Sequence, residues 1–149
     1  MRDDTILLRC GNCGVVNRLP ESRLPEHPKC GKCRNVLEFA RIPLDIISSH
    51  FDREVLGWPG SVLVMFWAPW CGHCRTIMPV IDDMAHRRAG RLKVCRVNVD
   101  NESALSDRFQ IRSTPMFFLY KNGNKISDIA GALPAGQLEA WIDASLLGS

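Results

Sequence analysis

The sequence predicts an α/β fold, a mixed central sheet with helices on both faces, behind a small cysteine-rich module of about forty residues. Three observations predict it. A strand-like run hands over directly to a long helical pattern between residues 61 and 88, a hairpin followed by an amphipathic helix closes the chain, and four of the seven cysteines fall before residue 34. A chain of 149 residues has room for one ordinary domain of about 105 residues and an appendage. The expected division is 1–38 for the module, 39–43 for a linker and 44–149 for the main domain.

Taken in order, a short strand is expected near Leu44 to Ile47 and a helix from about Ser49 to Leu56. Ser61 to Trp67 are β-branched, aromatic and uncharged, the composition of a strand covered on both faces. From Cys71 to about Arg88, Ile77, Ile81, Met84 and Ala85 recur at helical spacing, with a bend expected at Pro79, which lacks an N–H. Leu92 to Asn98 reads as a strand and Glu102 to Phe109 as a short helix. Met116 to Tyr120 and Lys125 to Ala130 flank Asn122-Gly123, a strong hairpin signal. The last helix places Leu138, Trp141, Ile142 and Leu146 on one face.

The segment Trp70-Cys71-Gly72-His73-Cys74 sits where the buried strand becomes a helix. Two cysteines separated by two residues at such a junction form a redox dithiol. The first sulfur lies beside the helix's unpaired N–H groups and the positive end of its dipole, which favours its thiolate.

The first forty residues carry a different signal. Cys10-Gly11-Asn12-Cys13 and Cys30-Gly31-Lys32-Cys33 are two Cys-x-x-Cys knuckles sixteen residues apart, the spacing of a zinc ribbon. Four thiolates suit one tetrahedral zinc, and the glycines after Cys10, Cys13 and Cys30 are expected to let the chain turn so that N–H groups point at sulfur. Two disulfides are the alternative. The opening Met-Arg-Asp-Asp contains no apolar export segment, so a cytoplasmic protein is expected, where structural disulfides are rare. A module this small also needs a staple to fold, and a metal supplies it.

The run Phe66-Trp67-Ala68-Pro69-Trp70-Cys71-Gly72-His73-Cys74, with Pro79, strongly resembles the thioredoxin family. Val97-Asn98-Val99-Asp100, Ile111-Arg112-Ser113-Thr114-Pro115, Lys121-Asn122-Gly123 and Gly131-Ala132-Leu133 extend the likeness over roughly residues 44 to 147. With the ribbon included, the chain is similar to the bacterial thioredoxin 2 group. The resemblance implies a thioredoxin fold and a protein-disulfide reductase. Cys71 attacks a substrate disulfide, and Cys74 then attacks Cys71 to release reduced substrate. Trp70, Gly72, His73, Thr114, Pro115 and Gly131 support catalysis or bind substrate; Thr114-Pro115 matches the family's cis-proline, and Trp70 with Gly131 would form an apolar docking surface. Disulfide-containing proteins are the implied substrates. A flavin- and NADPH-dependent thioredoxin reductase is the implied electron donor. A thiol pKa of ~7, the family's characteristic value, raises the thiolate fraction at pH 7 from ~3% to ~50%, yet lost nucleophilicity leaves a net gain of only about threefold to fourfold. Proximity of Cys74 after capture must therefore contribute more.

Two departures from the family pattern matter. Met65 stands where a buried aspartate is expected to take the proton from the second cysteine, and methionine cannot do so. His73 replaces the usual proline, giving the dithiol sequence of protein disulfide isomerases; an imidazolium there would stabilise the thiolate and make the disulfide more oxidising. The reference potentials of the two classes differ by ~90 mV, or ~4 kcal/mol. A disulfide oxidase or isomerase is therefore the second functional class to weigh, and a zinc-linked redox-sensing or partner-binding module the third.

Other candidates have plainer readings. Cys95 is expected to be a buried structural thiol, Trp67 a core residue, and His86-Arg87-Arg88 a solvated cationic end of the long helix. His27 lies near the second knuckle, but four thiolates already complete a zinc shell. Residues 1 to 42 hold eight Lys and Arg against five Asp and Glu, and the rest holds eleven of each, so the formal charge of +3 is entirely N-terminal. Zinc with four thiolates contributes about −2, which leaves the ribbon nearly neutral and argues against nucleic acid as a partner. No run is long enough to span a membrane. No membrane association and no tightly bound organic cofactor are expected, and a monomer is.

Overall fold

The computed structural model describes residues 5–39 and 41–148. The opening Met1 to Asp4, on which the expectation of no export segment rests, and Ala40 of the expected linker lie outside the described residues.

The N-terminal module is built on an antiparallel pair, β1 (Thr5–Arg9) and β2 (Val16–Pro20), in register from Thr5 opposite Pro20 to Arg9 opposite Val16. A 3₁₀ segment, Glu21–Glu26, leads to the second knuckle, which Lys29 and Val36 close by a single bridge. Its core is small. Ile6, Leu8, Leu19 and Leu37 pack around Cys10 and Cys30, too little apolar surface for a module of this size to stand without a cross-link.

The main sheet has the order β3-β5-β4-β6-β7. β3 (Leu44–Asp45), β5 (Leu92–Asn98) and β4 (Ser61–Trp67) run parallel, while β6 (Met116–Lys121) is antiparallel to β4 and β7 (Asn124–Ala130) antiparallel to β6. β4 is central and paired on both sides, so its side chains alternate between two cores. Leu63 and Met65 face α1 (Gly72–Arg87) and α3 (Ala135–Leu147), whereas Val62, Val64 and Phe66 face Phe51, Val55 and Leu105 of α2 (Ser103–Arg108). Period-2 alternation between two apolar layers is what an uncharged β-branched strand is suited to. On the second face the rings of Phe66 and Phe118 meet edge-on at 4.9 Å, an arrangement worth about 0.5–1.5 kcal/mol beyond burial.

Asn122 and Gly123 both take positive φ, 51° and 83°, the backbone of a type I′ turn that matches strand twist. A bulge between Leu119 and Tyr120 shifts the register of β7 by one residue. The expected helix 49–56 is not a regular α-helix. Ser48–His50 is a 3₁₀ turn, and Asp52–Leu56 is a π-helical turn in which the Gly57 N–H reaches the Asp52 carbonyl at 2.7 Å. The wide turn still buries both Phe51 and Val55 against the sheet. The long helix continues through Pro79.

Arg87 and Arg88 also depart from expectation. They are not a free solvated end: Arg87 and Arg88 both bond Glu139, and Arg88 reaches Asp143 at 2.8 Å. Glu139 and Asp143, one turn apart on α3, pass beside the C-terminus of α1 and bind the two guanidinium groups. The same cations hold the Glu139 carboxyl below its usual range, by hydrogen bonds from Arg87 first.

The ribbon seats at the end of the main sheet where β4 and β5 begin. Arg9 donates to the Gly57 carbonyl at 2.6 Å, and Glu21 pairs with Arg91 at 3.3 Å. Gly90, at φ +86°, leaves room for Leu24, whose Cδ1 would lie only 2.8 Å from a Cβ built there. A cleft of about 260 Å³ lies along this seam, lined by Leu7, Trp58 and Lys93 among others.

Candidate active site and metal centre

Cys71 is the N-cap of α1. Its extended backbone (φ −83°, ψ 108°) lets its sulfur turn back and accept the Cys74 N–H at 3.1 Å, so the thiol caps a donor that the helix cannot satisfy internally. The same sulfur donates to the Thr114 carbonyl at 3.4 Å, across the cis Thr114-Pro115 bond. Pro115 is buried, and its carbonyl accepts the Gly131 N–H at 2.9 Å, which ties the loop between β7 and α3 to the strand that begins beside the dithiol.

The two sulfurs differ in access and in charge. Cys71 is 5% exposed and Cys74 0%. Burial alone would push both thiols up. At Cys71 that effect is outweighed by the Cys74 thiol and N–H, with the neighbouring Thr114 and the His73 N–H adding to them, so its pKa is lowered. At Cys74 burial wins, reinforced by the neighbouring sulfur, and its pKa is raised. The slightly exposed sulfur thus has the lowered pKa and the fully buried one the raised pKa, an order that suits the first to attack and the second to follow.

Around them, Trp70 is 67% exposed beside Cys71, with its Nε1 donating to Asp100 at 3.3 Å. Gly72 and His73 are exposed on the first turn of α1, and Gly131 holds φ +95°. Met65 is fully buried in the same apolar cluster as Cys71 and Cys74. Trp67 is half-buried against that cluster. Cys95 is fully buried on the opposite face, and burial pushes it up to about 12; it is inert packing, as expected. Asp100 was within reach of sequence reasoning only as part of a motif, since nothing local couples position 100 to position 70.

The four N-terminal cysteines converge. All four sulfurs lie within 4.8 Å of one another, with Cys10 to Cys33 and Cys13 to Cys30 both at 3.6 Å. A disulfide needs ~2.05 Å, whereas Zn–S bonds of ~2.3 Å in a tetrahedron set sulfurs ~3.8 Å apart. The residues therefore fit zinc and not two disulfides. Backbone donors complete the shell: Cys13 N–H points to Cys10 Sγ and Lys32 N–H to Cys30 Sγ. Of the glycines expected to shape the knuckles, only Gly14 takes positive φ; in the second knuckle Arg34 occupies that conformation at φ 69°. Without a cation the cluster cannot hold four negative charges. Cys30 is held at about 6 by the Cys33 and Lys32 N–H groups, while Cys13 is pushed up to about 11, where burial and three neighbouring sulfurs outweigh the Val15 backbone bond. His27 is not part of the cluster.

Comparison with known proteins agrees with this geometry. The family model described as Thioredoxin matches residues 43–144, and the one described as Thioredoxin 2, N-terminal, a zinc ribbon, matches residues 9–35. Thioredoxin M5, chloroplastic, of Oryza sativa subsp. japonica is 36% identical over 146 residues, covering 95% of this chain and 83% of its own. Thioredoxin of Pseudomonas aeruginosa is 38% identical over 103 residues, 69% of this chain and 95% of its own, and Thioredoxin 1 of Nostoc sp. is 39% identical over 101 residues, 68% and 94% respectively. No helix among the described residues is long and apolar enough to cross a membrane. With most of the chain matched and a cysteine pair at the head of the helix where the family carries its own, the chain belongs to the thioredoxin family of disulfide oxidoreductases.

Proposed function

We propose that the chain reduces protein disulfides through Cys71 as nucleophile and Cys74 as resolving thiol, with one structural zinc held by Cys10, Cys13, Cys30 and Cys33. The observation that carries this reading is the asymmetry of the pair, a sulfur at the head of the helix with a lowered pKa over a fully buried one with a raised pKa. The Cys71 thiolate attacks one substrate sulfur; that S–S bond breaks, a mixed disulfide forms, and the other substrate sulfur leaves as thiolate and takes a proton from water. Cys74 then displaces the captured sulfur from Cys71. The substrate gains two electrons and the dithiol becomes a disulfide. Trp70 and Gly131 supply the surface on which substrate docks, Thr114 and Pro115 the backbone edge it lies along, and Gly72 a first turn without a side chain to obstruct approach. His73 tunes the potential. Zinc, when bound, replaces the apolar core that the ribbon lacks.

In this reading residues 1–38 form the ribbon, 39–43 the linker and 44–149 the reductase domain, acting as a monomer. The electron donor is a flavin- and NADPH-dependent thioredoxin reductase, as family membership implies. The compartment is the cytoplasm, because a four-thiol metal site is retained where disulfides do not persist.

Cys74→Ser is expected to trap a mixed disulfide on Cys71, identified by mass spectrometry after digestion, and Cys71→Ser to form none. An adduct on Cys95 or on a ribbon cysteine overturns the assignment. Iodoacetamide should alkylate Cys71 down to a pH below the ordinary thiol range, consistent with its lowered pKa.

A further inference from the structure

The ribbon keeps a free edge, and that edge opens onto the seam with the main domain. β1 pairs with β2 alone, so one row of its backbone groups has no strand beside it. Register identifies the row. The Cys10 N–H donates to the Val15 carbonyl at 2.8 Å, one step beyond the pair Arg9 and Val16. Bonded pairs alternate along an antiparallel ladder, so Leu8 and Ile6 also turn their N–H and C=O toward β2, while Arg9, Leu7 and Thr5 turn theirs away. Among the described residues none of these outward backbone groups has a hydrogen-bond partner, and no backbone hydrogen bond crosses from the ribbon to the main domain.

The cleft of about 260 Å³ lies against this edge, with Thr5 to Leu8 forming one wall. Half-buried Leu7, Phe39 and Trp58 make part of its lining apolar. Arg91, Lys93 and Lys121 also line it, and no carboxylate does. Glu21 and Glu54 pair with Arg91 and Lys93 at 3.3 and 2.7 Å from outside the lining, which leaves a positive bias and not a strong anion trap. Size helps to choose the occupant. Sites for drug-sized molecules and cofactors run from about 300 Å³ upward, so this cleft suits anchoring side chains better than a cofactor. A free strand edge beside a small apolar pocket is how a sheet takes up an added strand: main-chain bonds give affinity, and pockets for alternate side chains give specificity. We infer that the seam receives an extended segment of a partner protein, added to the outer edge of β1. The Leu7 N–H donates to a carbonyl of that segment, and the Leu7 carbonyl accepts one of its N–H groups. One apolar side chain of the segment sits between Leu7 and Trp58. The side chain two positions on, which points the same way, is acidic and lies among the cations.

The probe is a library of random heptapeptides displayed on phage, selected against the zinc-loaded full-length chain carrying Cys71→Ser and Cys74→Ser, which removes covalent capture. Enriched peptides are expected to carry apolar and acidic residues at alternate positions and to lack proline. A synthetic copy of the most enriched one should shift the Leu7 amide and Trp58 indole resonances of the isotope-labelled chain and leave those of Trp70 and Gly131 in place. Methylating the peptide nitrogen that bonds the Leu7 carbonyl is expected to weaken binding by roughly threefold to tenfold. Leu7→Pro, which removes an N–H that β2 does not use, should weaken it by a similar factor with zinc content unchanged. If that variant loses its zinc, the methylated peptide decides alone. Enrichment no better than background overturns the inference, and so do peptides that shift Trp70 in place of Leu7 or bind equally well after methylation. Binding of 8-anilinonaphthalene-1-sulfonate at Leu7 and Trp58 where no peptide binds would assign the cleft to a small anionic ligand, and overturns it as well.

Discussion

The motif Cys-Gly-x-Cys occurs three times in this chain, at Cys10, Cys30 and Cys71, and the three copies take two kinds of geometry. In the ribbon each copy ends in a tight turn, and the two turns face one another so that four sulfurs meet within 4.8 Å. At Cys71 the motif opens a helix of sixteen residues, and no second pair faces it. Spacing therefore sets only how near two sulfurs can come. What the backbone does after the second cysteine decides the rest: a turn leaves both sulfurs pointing at a shared centre, whereas a helix gives the first sulfur an N–H donor and hides the second.

The largest expected effect breaks that comparison outright if it is wrong. Cys71→Ser should lower reduction of an insulin-type disulfide by on the order of 10³ or more, while Cys30→Ser should abolish zinc binding, measured by metal analysis, and leave turnover within about twofold. The ribbon's folding is expected to be coupled to its metal, whereas the main sheet has two cores of its own. Equal losses of activity from the two substitutions would mean that the ribbon is part of the catalytic unit.

A second substitution sharpens the contrast at the floor of the dithiol. Met65→Asp places a carboxyl where exposure is 0%, so it should fold with a pKa raised above the usual ~3.9. The sign follows from that direction: stability is fully retained below the unfolded value and falls as pH rises through the folded one, by up to about 1.4 kcal/mol per pH unit. Thermal melts across pH measure this. The new carboxylate should also quicken resolution near neutral pH, read by rapid mixing, and a rate equal to that of the parent would make an acid at this position dispensable.

The smallest effect concerns His73. His73→Pro removes a group that favours thiolate over disulfide, so the glutathione equilibrium should move toward a more reducing protein by a few tens of millivolts, about 1 to 3 kcal/mol. An unchanged equilibrium would make His73 a solvated residue of the first turn, where its side chain is exposed.

Much of this was legible from residue order. The strand at Ser61–Trp67, the dithiol helix and the Asn122-Gly123 turn each follow from a local pattern, and the spacing of two knuckles favoured a four-sulfur cluster over two disulfides. What escaped depends on residues far apart in sequence. The π-helical turn at Asp52–Leu56 buries Phe51 and Val55 as an α-helix would, and helical spacing alone cannot distinguish the two. Arg88 is solvated or paired according to where α3 passes, which its own helix does not encode. The same holds for Trp70 with Asp100 and for the fit of Leu24 over Gly90.

The seat of the ribbon has a consequence for size. Gly57, Gly90 and Arg91, which hold it, precede β4 and β5, while Cys71 follows the far end of β4. Seven residues of strand at ~3.3 Å each separate the two ends by about 23 Å. The sheet is in effect a ruler. A small disulfide reacting at Cys71 meets a protein whose ribbon is out of reach, and only a partner that extends over more than that length can touch both the metal module and the reactive sulfur at once.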